Sequence, residues 1–209
     1  NRLLMAPMTT CTGYYDGTVT SELVEYYRAR AGSIGTIIVE CCFVDDLGLA
    51  FPGAIGIDND EKIAGLAKIA DAIKSKGSKA LLQIYHGGRM VDPKLIGGRT
   101  PVGPSAVAAP RDGAATPVAL TSEEVEGMIG KFGEAVRRAI QAGFDGVEIH
   151  GANTYLIQQF YSPNSNQRDD EWGGSRDNRA KFPLAVLDIT HKMVRQYADD
   201  AFIIGYRFS

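Results

Sequence analysis

His150, Asn153 and Tyr155 fall close together, and their types suit a single task. His150 closes a short apolar run, and the residues after it read as the opening of a helix. Three positions apart, His150 and Asn153 are then expected to point toward one small volume. Two neutral hydrogen-bond donors there could hold one carbonyl or phenolate oxygen and draw electrons from it. Tyr155 adds a phenol, whose reference pKa of ~10 keeps it protonated at neutral pH, as an acid for a carbanion-like centre must be. Such a site polarises a carbonyl and protonates a neighbouring carbon. Hydride has to come from elsewhere, because no side chain delivers it, so a redox cofactor is implied.

Each of these residues has a plainer reading when taken singly. A strand-end histidine can be a hydrogen-bonded structural residue, and Tyr155 a half-buried core residue. Gln83 can satisfy neighbouring backbone groups, and Arg207 can serve a structural ion pair. Residues 168–170 and 176–177, Arg-Asp-Asp and Arg-Asp, read as a network pinning a loop. What favours chemistry is joint placement, which depends on the elements beneath.

Short apolar, β-branched runs occur at residues 3–8, 36–40, 80–85, 146–150 and 202–207. They suit parallel strands covered on both faces. Stretches of helical period lie between them. Ser21 can open the first, with Leu23, Val24 and Tyr27 as its apolar face. Asp60 can cap a second that carries Ile63, Leu66, Ala70 and Ile73. Thr121 and Glu124 form a capping box before Val125, Met128, Phe132 and Val136, and Gly143 supplies the stop. A fourth is expected over 178–197, where Pro183 is tolerable near the start. Strand and helix alternate, which predicts a parallel α/β architecture. The pattern does not separate an open sheet from a barrel, but no G-x-G-x-x-G follows the first strand, which disfavours the dinucleotide-binding sheet. In barrels the working groups sit at the C-terminal strand ends. Here the runs end in Thr9 and Thr10; Glu40, Cys41 and Cys42; Gln83, Tyr85 and His86; His150, Asn153 and Tyr155; and Arg207. The remaining histidine, His191, reads as a surface residue. The Gly-, Pro- and Ala-rich stretch 87–120 reads as a functional loop above the third strand.

The composition, 44% hydrophobic and 22% charged over 209 residues, is that of a soluble globular domain with one sizeable core. No apolar run approaches the ~20 residues of a membrane-spanning helix. A net charge of -3 argues against a nucleic-acid partner. Cys11, Cys41 and Cys42 form no C-x-x-C pair, so no disulfide framework or zinc site is expected, and a reducing cytoplasm is the simpler location. The chain reads as a single domain, 1–209. Five strands fall short of a closed barrel, which takes ~250 residues. A barrel truncated on its C-terminal side is therefore expected, with an internal start at Asn1.

At these residues the sequence resembles the Old Yellow Enzyme family, in its branch of bacterial NADH:flavin oxidoreductases related to 2-enoate reductases. The likeness spans essentially the whole chain. It includes Asn1-Arg2-Leu3-Leu4-Met5-Ala6-Pro7-Met8-Thr9, the Tyr26–Gly32 segment, and Gln83-Ile84-Tyr85-His86-Gly87-Gly88-Arg89. It also includes residues 142–155, residues 162–168, and Trp172-Gly173-Gly174-Ser175 with Asn178 and Arg179. The fourth-strand and Trp-Gly-Gly-Ser segments are the specific ones, since Ala-Pro-Met is shared with other flavin barrels. The resemblance implies a (β/α)8 TIM barrel, of which the chain covers about strands one to five, with FMN over its mouth and NADH or NADPH as reductant. Pro7, Met8 and Thr9 would line the flavin, with Cys41 beside the ring. Gln83 would bond the pyrimidine edge, and Arg207 would face the N1–C2 carbonyl region. His150 and Asn153 would bind the substrate carbonyl oxygen, Tyr155 would protonate the α-carbon, and Tyr85 and His86 would wall the pocket. The implied activity is that of an ene-reductase passing hydride from NAD(P)H through FMN to the C=C of an α,β-unsaturated carbonyl compound. The implied partner is a small-molecule alkene, and a homo-oligomer is compatible with this reading. Cys41 departs from the small residue usual at its place. The FMN phosphate anchor, and any iron–sulfur or second flavin domain, would lie beyond Ser209. Three alternatives stay open. A tRNA-modifying barrel similar to the dihydrouridine synthases would need a catalytic cysteine segment and a basic surface, and neither is visible. A non-redox aldolase or isomerase would need a strand-end lysine or a carboxylate set, and only Glu40 is on offer. A flavin-binding protein without turnover is the third.

Overall fold

The computed structural model describes residues 2–209, so Asn1 of the first-strand motif lies outside the described residues. Five strands, β1 (Leu4–Met5), β2 (Thr36–Phe43), β3 (Lys79–Tyr85), β6 (Gly146–His150) and β7 (Ile203–Arg207), pair in parallel in the order β1-β2-β3-β6-β7. The short strands β4 (Val102–Gly103) and β5 (Val118–Ala119) pair with each other inside the long connection after β3. Helices α1 (Ser21–Arg30), α2 (Ile63–Lys74), α3 (Ser122–Gln141) and α5 (Arg176–Tyr197) link successive sheet strands, and the short α4 (Leu156–Tyr161) follows β6. This is the run of parallel strands that makes the first five staves of a (β/α)8 barrel. Among the described residues, no helix is long and apolar enough to cross a membrane.

Strand alternation divides the side chains between two faces. Leu82, Ile84, Val147 and Ile149 enter the main core with Leu66, Ile73, Phe132, Val136 and Phe182 from the helices. Each fully buried side chain of this kind stabilises the fold by ~1.5–3 kcal/mol. Phe182 of α5 stacks on Phe160 of α4 at 4.1 Å and meets Phe132 of α3 edge-on at 6.4 Å. The two long helices approach closely at Gly133, where a Cβ would lie 2.6 Å from Ile189. The opposite face carries Gln83, Tyr85, Glu148 and His150.

Element ends show where local signals prevailed. Thr121 and Glu124 cap α3 reciprocally, as their spacing predicts. Thr20, one residue before the expected Ser21, caps α1 through its hydroxyl. The cap expected at Asp60 belongs to Asn59, which opens a 3₁₀ turn ahead of α2. Asp60 instead pairs with Arg137 and Arg138 of α3, at 2.6 and 2.7 Å. α5 begins at Arg176 rather than at residue 178, so Pro183 sits inside the helix instead of near its start. The lost backbone hydrogen bond is offset by burial of Phe182 and Val186 on either side. The 87–120 segment is held rather than loose. Arg89 donates to Val107 O and Ala108 O, and Arg168 donates to Pro104 O and Leu120 O. Arg168 also pairs with Asp170, which fits the loop-pinning reading of that stretch. Arg176 donates to Tyr161 OH instead of joining that network.

Candidate active site

Strand β6 runs as Gly146-Val147-Glu148-Ile149-His150, so Glu148 and His150 share the face opposite the helices. His150 is 3% exposed. Burial, and then the nearby charge of Arg207, push its imidazole down to about 4. It is therefore neutral at physiological pH. Its Nδ1 accepts a long 3.4 Å contact from the Ala152 amide, which assigns the proton to Nε2. The only hydrogen bond of this ring to the described residues is the one at Nδ1, so Nε2–H is the free donor of the site.

Tyr155 stands immediately before α4 as its N-cap residue. Its ring meets His150 edge-on at 4.9 Å, Tyr85 at 5.2 Å and Phe51 at 6.3 Å. Three aromatic neighbours fix the ring. Burial, and then the proximity of Cys41, push the phenol up to about 12, so it keeps its proton. Tyr85, on the same face of β3, is fully buried, and its hydroxyl accepts from the Ala50 amide at 3.2 Å. Gly151, between His150 and Tyr155, lies against the Tyr206 hydroxyl, where a Cβ would come within 2.3 Å.

Thr9 and Cys41 close the β1–β2 side. The Cys41 thiol is 3.2 Å from Thr9 Oγ1 and packs in a small apolar cluster with Phe43 and Tyr85, against which Tyr155 leans. Burial pushes this thiol up to about 12, so Cys41 stays protonated and is no nucleophile. Pro7 and Met8 follow β1 in an irregular segment, with Met8 54% exposed. Gln83 lies beside Glu148 on β3, and Arg207 ends β7 in register with His150. Gln83 Nε2 donates to Glu148 Oε1 at 2.7 Å, and Arg207 grips the same carboxylate at 2.8 and 3.2 Å.

The structure thus brings Thr9, Cys41, Gln83, Tyr85, His150, Tyr155 and Arg207 to one face. The structure departs from expectation in the backbone at Asn153 and in the placement of His86. Asn153 was expected to share a helical turn with His150, but residues 151–155 form a turn and the helix starts at Leu156. Asn153 and Thr154 adopt left-handed backbone angles, φ 55° and 63°, and the Asn153 side chain is exposed and makes no bond to the described residues. The i, i+3 argument fails because there is no helix there to supply it. His86, expected as a pocket wall, is one residue past Tyr85 and points to the other side. Its Nδ1 accepts from the Gly88 amide at 3.0 Å, its ring lies against Gly48, and Nε2 is 3.8 Å from Asp45. Burial pushes it down to about 4, so it is a neutral structural imidazole. Glu40, the strand-end carboxylate an aldolase-like site would need, turns away as well. It accepts from the Thr10 amide at 3.2 Å and from Tyr27 OH at 3.3 Å, latching β1 and β2 to α1.

Sequence reasoning missed Glu148, although the alternation of Glu148 with His150 was its signal. It also missed Phe51, whose loop position gives no periodic cue. The donor set fits a flavin. Gln83 Oε1 and Arg207 Nη1 carry no bond to the protein, which offers an acceptor beside a cationic donor, as the imide edge of an isoalloxazine requires. Thr9, Gln83 and Arg207 are the residues that would hold it.

All 209 residues match the profile of the NADH:flavin oxidoreductase / NADH oxidase family. The chain is 90% identical over 209 residues to the NADH:fumarate oxidoreductase of Klebsiella pneumoniae (strain 342), covering 100% of the chain and 23% of that protein. It is 61% identical over 209 residues to the NADH:acrylate oxidoreductase of Vibrio harveyi, covering 100% of the chain and 21% of that protein. It therefore spans about a fifth of the length of these two relatives. The solved structure of the Old Yellow Enzyme homologue from Zymomonas mobilis superposes with a TM-score of 0.89 at 33% identity, covering 100% of this chain and 59% of that one.

Proposed function

The chain belongs to the NADH:flavin oxidoreductase / NADH oxidase family, and on that premise we propose that it forms part of an FMN-binding barrel domain whose mouth reduces the activated C=C of α,β-unsaturated carbonyl compounds. One observation carries the reading: a neutral imidazole donor and a protonated phenol sit edge to edge at 4.9 Å on the face that also carries Gln83 and Arg207. Bound FMN would supply the hydride, taken from NADH or NADPH and delivered to the substrate β-carbon. His150 Nε2–H binds the substrate carbonyl oxygen and draws electrons from the alkene. Tyr155 gives its proton to the α-carbon. Tyr85 and Phe51 fix the Tyr155 ring and keep water from it. Asn153, exposed on the turn that directly follows His150, is the second donor to that oxygen. Pro7 and Met8 flank the flavin from β1, and Cys41 packs beside it as a thiol. The free state of Cys11, Cys41 and Cys42 supports a reducing, cytoplasmic location.

The relatives named for fumarate and acrylate reduction suggest small unsaturated carboxylates as substrates. Because those proteins are about five times longer, a second reading is favoured by the same comparison: the barrel takes electrons from NADH and passes them to another site. A visible spectrum of the purified protein separates these. A flavin band bleached by anaerobic NADH and restored by an unsaturated ketone or by acrylate supports reduction at this mouth. Bleaching without restoration by either, in a protein carrying the Tyr155 and His150 sites alone, supports onward transfer. A colourless protein that FMN cannot reconstitute overturns both.

A further inference from the structure

Glu148 is 8% exposed and lies at the centre of the polar layer. Its Oε1 accepts from Gln83 Nε2 at 2.7 Å and from Arg207 Nε at 2.8 Å, while Oε2 accepts from Arg207 Nη2 at 3.2 Å. The strand register explains the geometry. Glu148 is directly opposite Gln83 on β3, and Arg207 lies two residues beyond its neighbour Gly205 on β7. One carboxylate on β6 therefore ties together the side chains of both adjacent strands.

Resting on the flavin reading above, we infer that Glu148 is the positioning residue that orients Gln83 and Arg207 toward the flavin and sets the charge they present to it. The amide of Gln83 has only one workable orientation. Turned over, its carbonyl oxygen would face a carboxylate at hydrogen-bond distance, and like charge would repel it. With Nε2 toward Glu148, Oε1 is left as an acceptor for an imide N–H. Arg207 is gripped through Nε and Nη2, which fixes the guanidinium plane and leaves Nη1 as the outward donor. The pair is also close to neutral. A lone Arg207 would favour the anionic reduced ring strongly, and Glu148 tempers that preference.

The test uses the FMN-loaded enzyme and two variants. Glu148→Gln keeps the shape and removes the charge, so reduced FMN should gain about tenfold in affinity relative to oxidised FMN. That is the effect of one unit charge across roughly 12 Å at an effective dielectric of about 20, and so a lower bound for a carboxylate bonded directly to the ring's own partners. It corresponds to a midpoint potential about 30 mV more positive for a two-electron couple. Glu148→Asp keeps the charge but cannot span both partners. It should weaken FMN binding about tenfold in both oxidation states and leave the potential at the wild-type value. A potential that is unmoved or more negative in Glu148→Gln overturns the charge-setting role. Wild-type FMN affinity in Glu148→Asp overturns the positioning role. Failure of the wild-type protein to bind FMN would sink the functional reading itself, whereas normal flavin binding with silent variants sinks only this inference.

Discussion

Replacing Tyr155 by Phe removes one oxygen and leaves nearly everything else in place. The ring keeps its edge contacts with His150, Tyr85 and Phe51 at 4.9, 5.2 and 6.3 Å. Its hydroxyl is influenced by burial and the nearby Cys41 and by no hydrogen bond to a described residue, so none is lost, and stability should change by less than about 0.5 kcal/mol. The catalytic effect should be far larger. A positioned general acid contributes ~10²–10⁴-fold, or about 3–5 kcal/mol of barrier at 1.36 kcal/mol per decade. Because burial pushes the phenol up to about 12, wild-type proton donation should be independent of pH from 6 to about 10. Anaerobic stopped-flow spectroscopy resolves the two half-reactions through the flavin band. Reduction by NADH should proceed at nearly the wild-type rate in Tyr155→Phe, while reoxidation by an α,β-unsaturated ketone should slow at least a hundredfold. Equal slowing of both steps, or of neither, would refute the assignment of Tyr155 as proton donor.

His150→Ala removes the free Nε2 donor and should weaken binding of phenolic ligands by ~10–100-fold, read from charge-transfer titrations of the oxidised enzyme; His150→Asn, which retains an N–H donor, should recover most of that loss, and unchanged titrations in His150→Ala would rule the role out. Both buried imidazoles, His86 and His150, are held at about 4, below the ordinary 6.5, so between those values the unfolded chain binds more protons and stability falls as pH falls. The loss should reach about 2 kcal/mol per imidazole by pH 5. Urea midpoints at pH 7, 6 and 5 measure it, and a flat profile across that range would contradict the burial argument.

Much of the frame was legible in the chain itself. Short β-branched runs alternating with helical stretches dictate parallel strands, because covered strands are apolar on both faces. The Thr121–Glu124 spacing placed the start of α3, since reciprocal capping is a local contact between near neighbours. The C-terminal strand ends concentrated the polar residues on one side because consecutive parallel strands all end at the same edge of the sheet. What the sequence could not carry were facts that depend on distant segments. Asp60 looked like a helix cap until α3 brought Arg137 and Arg138 to it. His86 looked like a pocket residue, but a single step of strand alternation past Tyr85 turned it to Asp45, contributed from beyond β2. Asn153 appeared to share a helical turn with His150, and the close approach of Tyr206 to Gly151 accompanies a turn there instead. Glu148 shows both sides at once. Its face followed from the alternation of residues 146–150, but its partners, Gln83 and Arg207, lie 65 and 59 residues away, and only strand register decides that the three meet.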